Sequence, residues 1–200
     1  ESVEVRLPHN PITLPLHYST PEYYEMVSGY KKTIVLEEED LSKRIFLLFQ
    51  GVAHVSTLYF NGKEIGSHYC GYTSFSYEVT DYIKKGENEI LVKVDGRESS
   101  NIPPFGFVID YLTYTGIYRD VFLIKKNKTY IEDVFVTTPT LSSLKAEYTV
   151  DGDRDYTILY QLMDGGKVLE KGEVHGSILS LSSLSVSPWS PSSPKLYILK

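Results

Sequence analysis

A carboxylate leading into a tyrosine-rich turn, and then into a strand that carries an arginine, is the first place in this sequence where chemistry could sit. The stretch is Asp110-Tyr111-Leu112-Thr113-Tyr114-Thr115-Gly116-Ile117-Tyr118-Arg119-Asp120-Val121. A glycine just ahead of a strand marks a tight backbone position. An acid on the loop side of that strand can point into a shared cleft. From residue types alone a structural reading is the favoured one, with Asp110 capping a turn and Arg119 serving as an ordinary strand charge, since structural charges outnumber functional ones.

Other chemistry has weaker support. His68 and Cys70 are two residues apart, so on a strand they share a face and could form a dyad. A lone cysteine is more often a small buried hydrophobe. The histidines (His9, His17, His54, His68, His175) form no i, i+4 pair of the kind that holds a metal. There is no phosphate loop and no G-x-S-x-G elbow. No serine is marked out by an adjacent base and acid. Paired carboxylates for glycoside cleavage cannot be recognised from spacing alone. The many Tyr and Phe side chains could stack on sugars, or fill a core.

These residues need a scaffold, and the composition points to β structure. The chain has 200 residues, 42% of them hydrophobic, with 17 Tyr, 14 Gly and 10 Pro. That is enough apolar material for a core, with many turns. The net charge of −6 shows no basic face, so nucleic acid is not an expected partner. No apolar run approaches the ~20 residues of a membrane helix, so no membrane partner is expected either. A single cysteine excludes an internal disulfide and leans to a reducing compartment, which slightly favours the cytoplasm.

Residues 1–24, with Leu7-Pro8-His9-Asn10-Pro11, read as an extended surface arm. Strands are expected at 30–36 and, covered on both faces, at 44–49, with a solvated turn at 37–40 between them. Val55 to Phe60, then Asn61-Gly62, then Lys63 onward is a β-hairpin, because Asn-Gly adopts the positive φ of a type I′ turn. Phe75 to Val79 alternates. Thr80 to Gly86 reads as a helical turn capped by Thr80 and stopped by Gly86. Asn88 to Val94 places Ile90, Val92 and Val94 on one face. Residues 95–115 are a long aromatic connection of the kind that is usually functional, and a strand follows at 117–124. After the polar break at Lys125 to Lys128, strands are expected at 130–137, 144–150, 156–163 and 167–174, with a hairpin turn at Asp164-Gly165-Gly166. This spacing suggests a second, smaller β-sandwich.

Several stretches together resemble a known family. In order they are Gly51-Val52-Ala53-His54-Val55, Phe60-Asn61-Gly62-Lys63-Glu64-Ile65-Gly66, Gly71 to Thr80, Gly86-Glu87-Asn88 and Gly116-Ile117-Tyr118-Arg119-Asp120-Val121. They resemble the N-terminal, sugar-binding-like jelly-roll domain of glycoside hydrolases related to bacterial β-galactosidase and β-glucuronidase (glycoside hydrolase family 2). Residues 128–200 resemble the immunoglobulin-like sandwich that follows it, with Ser187-Pro188-Trp189-Ser190-Pro191-Ser192-Ser193-Pro194-Lys195-Leu196-Tyr197 as its late signature.

The resemblance implies an all-β chain: a jelly-roll (galactose-binding-like) β-sandwich at 1–127, then an immunoglobulin-like β-sandwich at 128–200, truncated at its C-terminal end. It implies that the catalytic (β/α)₈ barrel, with its acid/base and nucleophile glutamates, lies beyond Lys200. The expected role is therefore the non-catalytic N-terminal part of a retaining β-glycosidase, first a β-galactosidase. No catalytic residue is expected here, and the 200 residues alone should be inactive. The truncated second sandwich should be more mobile than the first, or pair with a neighbouring copy. In the family an aspartate six positions before the Gly of the G-I-x-R motif reaches the barrel mouth and helps bind the non-reducing sugar. Asp110 holds that spacing before Gly116, and so becomes the expected substrate-binding residue. Arg119 and His9 match family positions taken as structural. The implied partners are a carbohydrate substrate and the barrel, in a homo-oligomeric parent. No metal site or cofactor is expected in this chain, while a monovalent or divalent cation in the parent is compatible with the resemblance. The alternatives are the corresponding part of a β-glucuronidase, a free-standing carbohydrate-binding lectin module, and a purely structural domain.

Overall fold

In a computed structural model, which describes residues 2–13, 20–106 and 113–200, every described segment of sheet is antiparallel. The chain divides into two compact units, Glu1–Asn127 and Lys128–Lys200.

In the first unit a short helix α1 (Pro21–Tyr24) follows the arm. Four strands form one sheet: β1 (Val27–Leu36), β3 (Val55–Phe60), β4 (Lys63–His68) and β6 (Gly86–Asp95), in the order β1-β6-β3-β4. Three form the other: β2 (Arg44–Phe49), β5 (Phe75–Glu78) and β7 (Val121–Lys126), in the order β5-β2-β7. Side chains alternate across each sheet. Ile45, Leu47 and Phe49 of β2 therefore meet Leu58 and Phe60 of β3 and Ile90, Val92 and Val94 of β6 in one apolar core. The Asn61-Gly62 hairpin is present, with both residues at positive φ.

Four local expectations are corrected. The 37–40 turn is solvated at Glu37, Glu38 and Glu39 but not at Asp40. It opens a 3-10 segment (Glu38–Ser42) in which Asp40 is buried, its carboxylate accepting the Glu37 N–H and pairing with Lys125 Nζ at 2.6 Å. Thr80 caps no helix: the 3-10 turn spans only Thr80–Tyr82. The Thr80 hydroxyl instead accepts the Ile45 N–H and donates to Glu78, and Gly86 opens β6 at φ +83°. β2 is not covered equally on both faces. It alternates fully buried with half-buried positions, because the outer face carries only Arg44, Phe46 and Leu48 with cation–aromatic contacts over Phe46. The strand expected at 117–124 begins at Val121, and Ile117 is a buried core residue ahead of it.

The second unit is a smaller sandwich of two three-stranded sheets. One contains β10 (Ile158–Asp164), β11 (Lys167–Val174) and β13 (Ile198–Leu199), in the order β11-β10-β13. The other contains β8 (Tyr130–Thr137), β9 (Leu144–Asp151) and β12 (Ile178–Leu181), in the order β12-β9-β8. Ala146, Tyr148, Ile158, Tyr160, Val174 and Leu179 are its buried core. The turn at Asp164-Gly165-Gly166 joins β10 to β11 as the sequence indicates.

Candidate functional site

Asp110 and the rest of 107–112 lie outside the described residues, so the site is built here from what holds the two ends of that loop. The register of β1, β6 and β3 brings Val27, Asp95 and Val55 side by side at one end of the sheet. The chain leaves β6 there through Gly96, whose N–H bonds the Met26 carbonyl.

The returning segment is fastened at several points. Gly116 and Ala53 exchange both backbone hydrogen bonds, at 3.0 and 3.2 Å, and the Ile117 carbonyl accepts the His9 N–H at 2.8 Å. Gly116 has φ +119°, and a Cβ there would lie 2.5 Å from the His9 carbonyl oxygen and 2.8 Å from the Tyr30 hydroxyl. The glycine of the G-I-x-R motif is thus required by both dihedral and space. Thr115 is fully buried and donates its hydroxyl to the Ala53 carbonyl at 3.1 Å. One step earlier, Thr113 donates to Glu98 Oε1 at 2.5 Å, so Glu98 and Thr113 clasp the two ends of the loop that contains Asp110.

Charge at this end is arranged in pairs. Arg97 binds Asp95 through two nitrogens at 2.9 and 2.5 Å, which holds the Asp95 carboxyl below its usual range. His54 is 3% exposed. Burial lowers its pKa, against the opposing pull of Glu98 and Asp95.

The remaining sequence candidates separate into fasteners and non-partners. His9 Nδ1 meets the Tyr30 hydroxyl at 3.0 Å with the rings edge to face. Arg119 reaches the Gln50 carbonyl and lies 5.3 Å over the Tyr118 ring. His68 and Cys70 make no dyad. The His68 ring bonds the Thr73 hydroxyl at 2.8 Å and the Cys70 backbone, and it stacks on Phe75. Burial raises the Cys70 thiol pKa, and hydrogen bonds from Tyr72 and Thr73 outweigh that and leave it lowered. His54, Glu98 and Thr113 were not singled out from sequence. The period of two that puts Leu58 and Phe60 inward also puts Ser56 and His54 inward, and that was the available signal.

Comparison with known proteins now decides the family. The family model described as "Glycosyl hydrolases family 2, sugar binding domain" matches residues 8–127. The chain belongs to that family. It is 40% identical over 167 residues to a β-galactosidase of Thermoanaerobacter pseudethanolicus, covering 82% of this chain and 22% of that protein. It is 37% identical over 119 residues to a β-glucuronidase of Bacteroides fragilis, covering 59% and 17% respectively. Among solved structures, a β-glucuronidase from an uncultured Clostridium superposes with a TM-score of 0.79 over 98% of this chain and 36% of its own, at 24% identity, which speaks to the fold. The chain spans about a fifth of the length of the curated relatives it matches.

Proposed function

We propose that this chain is the non-catalytic N-terminal part of a retaining β-glycosidase, a β-galactosidase, and that it contributes Asp110 to the subsite for the terminal sugar. The observation that carries the reading is the 40% identity to a β-galactosidase across 82% of the chain. In a retaining mechanism one carboxyl group protonates the leaving oxygen while another attacks the anomeric carbon, and water then hydrolyses the glycosyl-enzyme. On this proposal both groups come from a barrel outside these residues. Asp110 makes no bond to the anomeric carbon. Its carboxylate accepts hydrogen bonds from sugar hydroxyls and fixes the ring against the barrel's two carboxyl groups, a positional contribution to the barrier.

The anchoring of Gly116 and the Glu98–Thr113 clasp support this role, because a loop that orients a ligand needs fixed ends. Residues 1–127 then act as the sugar-binding-like domain and 128–200 as the immunoglobulin-like spacer leading to the barrel. A β-glucuronidase is the second reading, favoured by the Bacteroides fragilis relative.

Titration calorimetry of the isolated chain with galactose and glucuronate, alongside nitrophenyl β-galactoside and β-glucuronide assays, tests the proposal. The expected result is no turnover and no binding at millimolar sugar by the chain alone. Clear turnover by the chain would overturn it. Millimolar or tighter binding would favour an autonomous lectin module.

A further inference from the structure

β1 ends one sheet of the first unit and β7 ends the other. Between these two edges a slot of about 540 Å³ reaches the core, where Leu47, Phe49, Val92 and Ile117 form its buried floor. Ile34 of β1 and Leu123 of β7 form its walls. Well-packed interiors leave few spaces larger than a water molecule, and about 300–1,000 Å³ is the size of a small-molecule site. The slot is therefore large enough for a ligand with an apolar body.

The rim of the slot is cationic. Lys32 starts on the core-facing side of β1: it lies directly opposite Ile90 and two residues from both Tyr30 and Ile34, all of which belong to the core or pack on it. Arg6, on the arm, joins it at the rim, as does Lys31. Among the described residues Arg6 and Lys32 make no ion pair, whereas Lys31 is held by Glu89. Glu4 is the single acid lining the slot. This is a local positive excess on a chain whose net charge is −6. An inward charge on an edge strand also discourages pairing of that edge, but that role needs neither a second free cation nor an apolar slot behind the charge. The arm is a loose cover. Among the described residues its first backbone hydrogen bond is from the His9 N–H to the Ile117 carbonyl, so 4–7 lie across the slot without one and can part to admit a ligand.

We propose that this slot binds a free alkyl carboxylate of medium chain length, with its chain between the two sheets and its head group at Arg6 and Lys32. The chain replaces water against the apolar floor, and the carboxylate accepts charge-assisted hydrogen bonds from the two unpaired cations. The glycosidase role makes no use of the slot, so either reading can fail without the other.

The test is titration calorimetry of the 200-residue chain with hexanoate, octanoate and decanoate, each below its micellar concentration. Affinity should rise about four-fold for each added methylene. Decyltrimethylammonium has the same chain length and the opposite charge, and should bind about ten-fold or more weakly than decanoate. Lys32→Glu, a change at an exposed position, should reverse that preference. Ile34→Trp, which fills the slot, should abolish uptake, and decanoate should shift the amide signals of Ile34, Ile117 and Leu123 in the parent. No uptake of decanoate at millimolar concentration, equal affinity for the two head groups, or a Lys32→Glu chain that binds decanoate as the parent does would each overturn the proposal. So would a chain that self-associates with a second copy covering the slot.

Discussion

Gly96 and Thr115 occupy mutually exclusive space: a Cβ on Gly96 would lie 2.0 Å from both Cβ and Oγ1 of Thr115. The two residues close the end of the first sandwich, where the loop carrying Asp110 leaves and returns. Gly96→Ala is expected to cost about 1–3 kcal/mol through overpacking. The loss should appear as a lowered urea midpoint with an unchanged slope, and a midpoint equal to the parent's would refute the packing argument.

At the opposite end of the same sheet, Asn88 is completely buried and ties three segments together. Its Oδ1 accepts from Lys84 N and Asn61 Nδ2, and its Nδ2 donates to the Lys84 and Gly86 carbonyls. Asn88→Ala leaves several of these groups unpaired in the interior. A loss of roughly 2–4 kcal/mol is expected, read by chemical denaturation. A loss no larger than that of a surface substitution would sink this account of Asn88.

Asp40 gives the chain an acid-sensitive fastening. Its carboxyl pKa is held below the usual value of 3.8, first by the hydrogen bond with Lys125 and then by the Glu37 N–H, against burial. A depressed folded pKa contributes stability that is present above the unfolded value and lost as pH falls through the folded one. Asp40→Asn should therefore be less stable than the parent at pH 7. The difference should shrink as pH drops below about 4, where the unfolded carboxyl gains its proton. A stability difference that stays constant from pH 7 to pH 3 would mean that the Lys125 pair is not the source.

Much of the fold was legible because its signals were local. The Asn61-Gly62 turn, the alternation of Ile90, Val92 and Val94, and the Asp164-Gly165-Gly166 turn each announce themselves within a few residues. What the sequence hid depends on contacts distant along the chain. Asp40 sits in an acidic run that reads as solvated, and its burial goes with a partner far along the chain, the half-exposed Lys125 on β7. Thr80 has the chemistry of a helix cap, but its hydroxyl is claimed by Ile45 and Glu78. At the candidate site the motif glycine could be found from sequence. The clasp between Glu98 and Thr113, fifteen residues apart, and the burial of His54 could not.

The central claim is that Asp110 belongs to a sugar subsite completed by a catalytic barrel. It is tested most directly by kcat/KM for a nitrophenyl β-galactoside in the full-length enzyme that we propose contains this chain, with Asp110 and with Asp110→Asn. Losing a charge-assisted hydrogen bond of about 1.5–3 kcal/mol predicts a fall of roughly 10- to 100-fold, with the urea midpoint unchanged. An Asp110→Asn enzyme with the parent's kcat/KM would contradict the account.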